Sequence, residues 1–135
     1  MNLKVLLVDD DKMAVFLQEI IILESGFTSD LSTFSNGKDT LEYLDSDHYS
    51  GDDYLIFLDI NMPVMNGKEF LDQLKTRVYA DRVFVAMVSS YSAKADEEFK
   101  KYRQVIYTFE KPITAELCDK IKKLPELSKL LSSTS

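Results

Sequence analysis

Cysteine is nearly missing from this 135-residue chain. Cys118 is the only one, so no intrachain disulfide can brace the fold, and its place near Leu117 and Ile121 marks a helix residue close to the core. Long apolar runs are missing too. None approaches the roughly 18 residues of a membrane span, and the opening MNLKVLLVDDD turns acidic too early for a signal peptide. We therefore expect a cytoplasmic protein with no membrane contact. An excess of positive charge is also absent: 16 basic against 23 acidic residues leave a net charge of −7, which offers no basic face to nucleic acid or anionic lipid. Such a balance suits a site that holds a cation. Histidine is reduced to His48, within the polar stretch Asp45 to Asp53. That stretch lacks the alternating ligands and closing Glu of a calcium loop, so it reads as a solvated loop. No repeat or linker divides the chain, and 45% hydrophobic content over this length fits one domain with a two-sided sheet.

What the sequence does contain is a strict alternation. LKVLLV (residues 3 to 8), Tyr54 to Leu58, Arg82 to Val88 and Val105 to Phe109 are short apolar runs, the pattern of strands covered on both faces, and Thr28 to Phe34 reads as a weaker edge strand. Between them lie helical periodicities. Met13, Phe16, Leu17, Ile20 and Ile21 predict the inner face of a first helix. Leu41 and Leu44 mark a short second helix, and Phe70, Leu71 and Leu74 a third. Ala93 to Tyr102 is a charged, loosely anchored fourth, and Ile113, Leu117, Ile121 and Leu124 line a fifth. Pro125 breaks the last pattern, leaving 126–135 as a frayed tail after a domain spanning 1–125. Five β-α units in this order predict an α/β fold, a doubly wound five-stranded parallel sheet.

In such a sheet the carboxyl ends of all strands share one rim. The fourth strand ends in Ser89-Ser90, and the rim collects Asp9 and Asp10, Asp59, Ser89 and Lys111. Two carboxylates about 4 Å apart repel by about 4 kcal/mol at an effective dielectric of about 20, so three require a counter-charge. Oxygen-only ligands suit Mg²⁺. A strand-end carboxylate is already ionised at neutral pH and can act as a nucleophile without a general base, so a phosphoryl donor would give an aspartyl phosphate at Asp59. Lys111 and the Ser89 hydroxyl would then meet the phosphoryl oxygens.

LKVLLVDDD, LIFLDINMPVMNG, MVSSYS and FEKPIT, in this order and spacing, resemble the receiver domains of two-component response regulators, a CheY-like, flavodoxin-like (βα)5 family with strand order 2-1-3-4-5. The resemblance implies Asp59 as phosphoacceptor and Mg²⁺ bound by Asp9, Asp10, Asp59 and the main-chain carbonyl of Asn61. It further implies Ser89 as switch hydroxyl and Lys111 as the lysine before a proline that is often cis. The aromatic usual three residues before that lysine is replaced by Thr108, flanked by Tyr107 and Phe109. Tyr91 lies where its ring would slow autodephosphorylation.

The implied function is that of a stand-alone receiver rather than a turnover enzyme. It would take a phosphoryl group from a phosphohistidine of a histidine kinase or histidine phosphotransfer protein, then relay it or bind an unknown protein target. Two rivals remain at this stage. An aspartyl-phosphate phosphohydrolase of the haloacid dehalogenase type would want an Asp two residues after the nucleophile, where Asn61 stands. An interaction module that is never phosphorylated would not need the full set of Asp10, Asp59, Ser89 and Lys111.

Overall fold

The consecutive apolar runs become five strands: β1 (Leu3–Val8), β2 (Leu31–Phe34), β3 (Asp53–Asp59), β4 (Val83–Ser89) and β5 (Val105–Glu110). The computed structural model describes residues 3–27, 31–60, 62, 64–89 and 99–133. All strand pairs are parallel, in the order β2-β1-β3-β4-β5. The helices are α1 (Lys12–Glu24), α2 (Gly37–Asp47), α3 (Gly67–Leu74), α4 (Ala115–Lys122) and α5 (Pro125–Ser133).

Side chains alternate across the strands and so feed two cores. Leu6, Val8, Ile56, Leu58, Val85 and Met87 face α2 and α3, with Phe99 and Tyr102 completing that layer. Val5, Leu7, Leu55, Phe57 and Val88 face the other way, where Ile22 of α1, Cys118 and Ile121 of α4 and Leu127 of α5 cover them. The fully buried Cys118 thiol has its pKa pushed up by desolvation, as suits a packing residue. Most of the expected fourth helix lies outside the described residues. Its described end is not loosely held, since Phe99 and Tyr102 are buried.

Three other expectations change. Of the apolar set on α1, Ile21 packs against the core as expected, but the other four face outward: Met13 is 69% exposed, Phe16 60%, Leu17 54% and Ile20 43%. Val15, Gln18 and Ile22 point inward instead. The helix begins at Asp11, whose carboxylate accepts from the amides of Met13 and Ala14, and its rotation is held by a hydrogen bond from Gln18 to Asp9.

The stretch Asp45 to Asp53 is not a solvated loop. α2 runs on to Asp47, a short 3-10 turn covers His48–Ser50, and Asp45, Asp47 and Asp52 are paired with Arg77 and Lys4. Asp45 accepts from Arg77 and from the Tyr79 hydroxyl, while Asp47 accepts from Lys4 and the Tyr54 hydroxyl. Burial and the Asp47 partner together push the Tyr54 phenol up to about 12. These contacts tie the amino ends of β1, β3 and β4, away from the rim.

The third change is the tail, which is a helix over its described length. Proline is well tolerated at a first helical position, where its missing N–H has no partner to lose.

Candidate functional site

Register places the rim residues before any side-chain chemistry is considered. Val8 pairs with Leu58, so the next residues along β1 and β3, Asp9 and Asp59, emerge side by side. β5 runs beside β4 up to the Ser89 and Glu110 pair, which delivers Lys111 to the same rim. The Lys111–Pro112 peptide is cis. Lys111 Nζ lies 3.0 Å from Asp59 Oδ2 and 3.1 Å from Asp9 Oδ2, bridging two buried carboxylates that start 50 positions apart in sequence. Burial pulls the ammonium's pKa down, yet the hydrogen bonds to Asp59 and Asp9 outweigh that and hold it above the ordinary lysine value.

Asp9 is further fixed by residues of its own loop and helix. Its Oδ1 accepts from the Asp11 amide at 3.0 Å and its Oδ2 from Gln18 Nε2 at 3.2 Å; Gln18 also donates to the Ala14 carbonyl. Gln18 is the site-supporting residue that sequence reading missed. A signal was present: in a helix whose other residues near it are mostly apolar, a glutamine two turns beyond the N-cap points back to the acidic loop.

Carboxylate oxygens of Asp9, Asp10 and Asp59 lie within 4.8 Å of one another, Asp9 and Asp59 buried and Asp10 exposed. The donors are all oxygen and acidic, and the exposed Asp10 leaves the cluster open to water on one side. That chemistry fits a hard divalent cation that keeps part of its hydration shell.

The β3–α3 connection folds back tightly behind Asp59. The Gly67 amide donates to the Ile60 carbonyl at 2.9 Å, and a Cβ at Gly67 would sit 3.0 Å from the Ile60 Cα. Only glycine permits that approach. Asn66 then caps α3 in a reciprocal box with Glu69. In the same turn Val64 holds φ +70° with its side chain 73% exposed. A left-handed β-branched residue costs about 1–2 kcal/mol, whereas glycine returns about 0.4–1 kcal/mol of unfolded-chain entropy. Val64→Gly should therefore stabilise the fold by about 0.5 kcal/mol. A lower urea midpoint than wild type would mean the isopropyl group makes contacts that outweigh the strain.

Not every expected site residue is brought to the cluster. Asn61, Ser90 and Tyr91 lie outside the described residues, and Ser89 is described only as the last residue of β4. Thr108 pairs with Met87 in the sheet, half-buried. Tyr107 and Phe109 have ring centroids 6.3 Å apart and belong to the core on the α1 and α4 side. Strand alternation points them away from the face that Thr108 occupies.

A family model described as response regulator receiver domain matches residues 5–122. The nitrate/nitrite response regulator protein NarL of Escherichia coli K12 is 35% identical over 88 residues, covering 64% of this chain and 38% of that protein. Stress response regulator protein 1 of Lodderomyces elongisporus is 25% identical over 114 residues, covering 84% of this chain and 30% of that protein. The chain thus spans 30% to 38% of the length of these curated relatives. The crystal structure of a two component response regulator from Cytophaga hutchinsonii superposes with a TM-score of 0.83 at 26% identity, covering 97% of this chain and 98% of that one.

Proposed function

The chain belongs to the response regulator receiver domain family, and from that premise we propose that Asp59 accepts a phosphoryl group from a phosphohistidine on a histidine kinase or histidine phosphotransfer protein. The observation that carries this reading is the Lys111 ammonium bridging Asp59 and Asp9 beside an open acidic cluster. An Asp59 carboxylate oxygen attacks phosphorus; the O–P bond forms as the N–P bond breaks, and the electron pair leaves on the imidazole nitrogen, which takes a proton from water. Lys111 is placed to follow the negative charge from the carboxylate to a phosphoryl oxygen. Asp9 and Gln18 orient the ammonium and the rim, and Ser89 would donate to a second phosphoryl oxygen. Asp9, Asp10, Asp59 and the Asn61 carbonyl would hold Mg²⁺, which when bound supplies charge neutralisation. The domain acts as a cytoplasmic phosphoryl acceptor whose two states are read by a protein partner, not as a turnover enzyme.

Incubation with acetyl phosphate and Mg²⁺ should add one phosphoryl group, mapped by mass spectrometry to Asp59, and EDTA should prevent it. Labelling at another residue, or none at all, defeats the proposal.

A protein donor is supported by the outward strip of α1. Met13, Phe16, Leu17 and Ile20 form an exposed apolar patch that starts two residues after the Asp11 cap, and exposed patches of this kind mark interaction sites. A groove of about 460 Å³ runs from Asp9 and Asp10 past Phe16 to Phe34. Leu17→Asp should slow transfer from a phosphohistidine protein by about tenfold or more, as the loss of an apolar interface anchor does, and leave acetyl phosphate labelling unchanged. Equal slowing with both donors would place the effect in the site rather than in docking.

A further inference from the structure

The chain carries net charge −7, yet one groove reverses that sign. Its volume is about 490 Å³, and Lys68, Asp72, Lys75, Lys101, Tyr102 and Arg103 line it, between α3 and the turn that leads into β5. Asp72 is already engaged. It accepts from the Tyr102 hydroxyl at 2.5 Å, and Lys68 and Lys75 approach it at 3.3 and 3.7 Å. The hydrogen bond from Tyr102 leads in holding the Asp72 carboxyl below the ordinary range, though burial works against it. Lys75 and Lys101 both stand over the Tyr102 ring, 5.7 and 5.5 Å from its centroid. Arg103 turns outward to Asp81 at 2.5 Å. Among the described residues of this groove and its margin, four cations meet two carboxylates, and one aromatic ring holds two ammoniums close together. No step of the proposed phosphoryl chemistry uses them.

We propose that this groove binds an extended acidic segment of a partner protein. Charge favours a chain over a compact anion: Lys68, Lys75, Lys101 and Arg103 line the groove against one carboxylate, Asp72, an excess that several acidic residues of an extended segment match better than one small anion does. The donor type agrees. Arg103 lines the groove too but turns one guanidinium nitrogen to the exposed Asp81, so three of the four cations along it are lysine point charges rather than bidentate phosphate grips. Nucleic acid is disfavoured because Tyr102, the groove's aromatic residue, is 4% exposed and offers no face for base stacking. A second copy of this chain is a poor occupant as well, since Asp45, Asp47 and Asp52 of its acidic stretch are held by Arg77 and Lys4.

Fluorescence anisotropy with a fluorescein-labelled hexaglutamate peptide tests the assignment. Wild type should bind at an ionic strength of about 10 mM and weaken at about 150 mM, as the Debye length contracts from about 30 to about 8 Å. Lys75→Glu/Lys101→Glu should weaken binding about tenfold, and Lys75→Gln/Lys101→Gln by a smaller factor. The control Lys38→Glu/Lys120→Glu has the same net charge on exposed residues of other helices and should change affinity by less than about twofold. Equal loss in the control would reduce the effect to overall charge and overturn the proposal. So would absence of binding at low salt, or tighter binding of an oligothymidylate of matching charge.

Discussion

Asp59→Asn should abolish phosphoryl labelling and, with no metal present, make the protein harder to unfold. The first outcome follows from chemistry, because an amide oxygen is not the nucleophile that a carboxylate is. The second follows from charge. Asp59 shares a space within 4.8 Å with the carboxylate oxygens of Asp9 and Asp10, and one ammonium, Lys111, bridges Asp59 and Asp9. Removing one of three negative charges relieves repulsion worth a few kcal/mol in a partly buried setting and forfeits one charged partner of Lys111, leaving a net gain of about 1 kcal/mol. Lys111 keeps Asp9 and can still donate to the amide oxygen. Divalent cation reverses the order. A ligand present at about 100 times its dissociation constant stabilises the binding-competent protein by about 2.7 kcal/mol, and Asp59→Asn weakens the ligand set. Urea midpoints with EDTA and with Mg²⁺, for wild type beside the variant, check both halves. A variant less stable than wild type under EDTA would show the Lys111 pair to outweigh the crowding of carboxylates, contrary to the balance drawn here.

The rim was legible because it depends on topology alone. Once short apolar runs alternate with helical periodicities, the residues after each run must gather at one edge, and Asp9, Asp59 and Lys111 follow without any knowledge of packing. The direction in which α1 turns was not legible, for a physical reason. Periodicity reveals that a helix has two faces but identifies the buried one only by assuming that the more apolar face goes inward. Here the inward face carries Gln18, whose amide completes the coordination of Asp9, and a buried polar group with a partner costs little. The more apolar face stays outside. The same inversion hid the pairing of Asp45 and Asp47, since their partners Arg77 and Lys4 are 32 and 43 positions away and no local pattern links them. Pro125 was half legible: α4 does end before it, at Lys122, but the same proline opens α5, because its missing N–H has no partner to lose at a helix start.

Ending the chain after Leu124 should therefore be severely destabilising, although the sequence there reads as a dispensable tail. Leu127 is fully buried in the core that α1 and α4 share, and Leu130 packs against it. The Leu127 and Ser128 amides both donate to the Leu124 carbonyl, which ties the first turn of α5 to the short link after α4. Truncating a buried leucine to alanine costs about 2–5 kcal/mol. Loss of the whole helix removes Leu127 and part of the cover over Ile121, at about 4 kcal/mol or more against a total stability of about 5–15 kcal/mol. Leu127→Ala should lower the urea midpoint by an amount equivalent to about 3 kcal/mol, while Ser128→Ala should stay within about 0.5 kcal/mol of wild type. The m-value of Leu127→Ala should hold steady, since the surface exposed on unfolding barely changes. A truncated chain that unfolds at the wild-type midpoint would show that α5 rests on the core without bearing on it, and Leu127 would then be buried for no energetic gain.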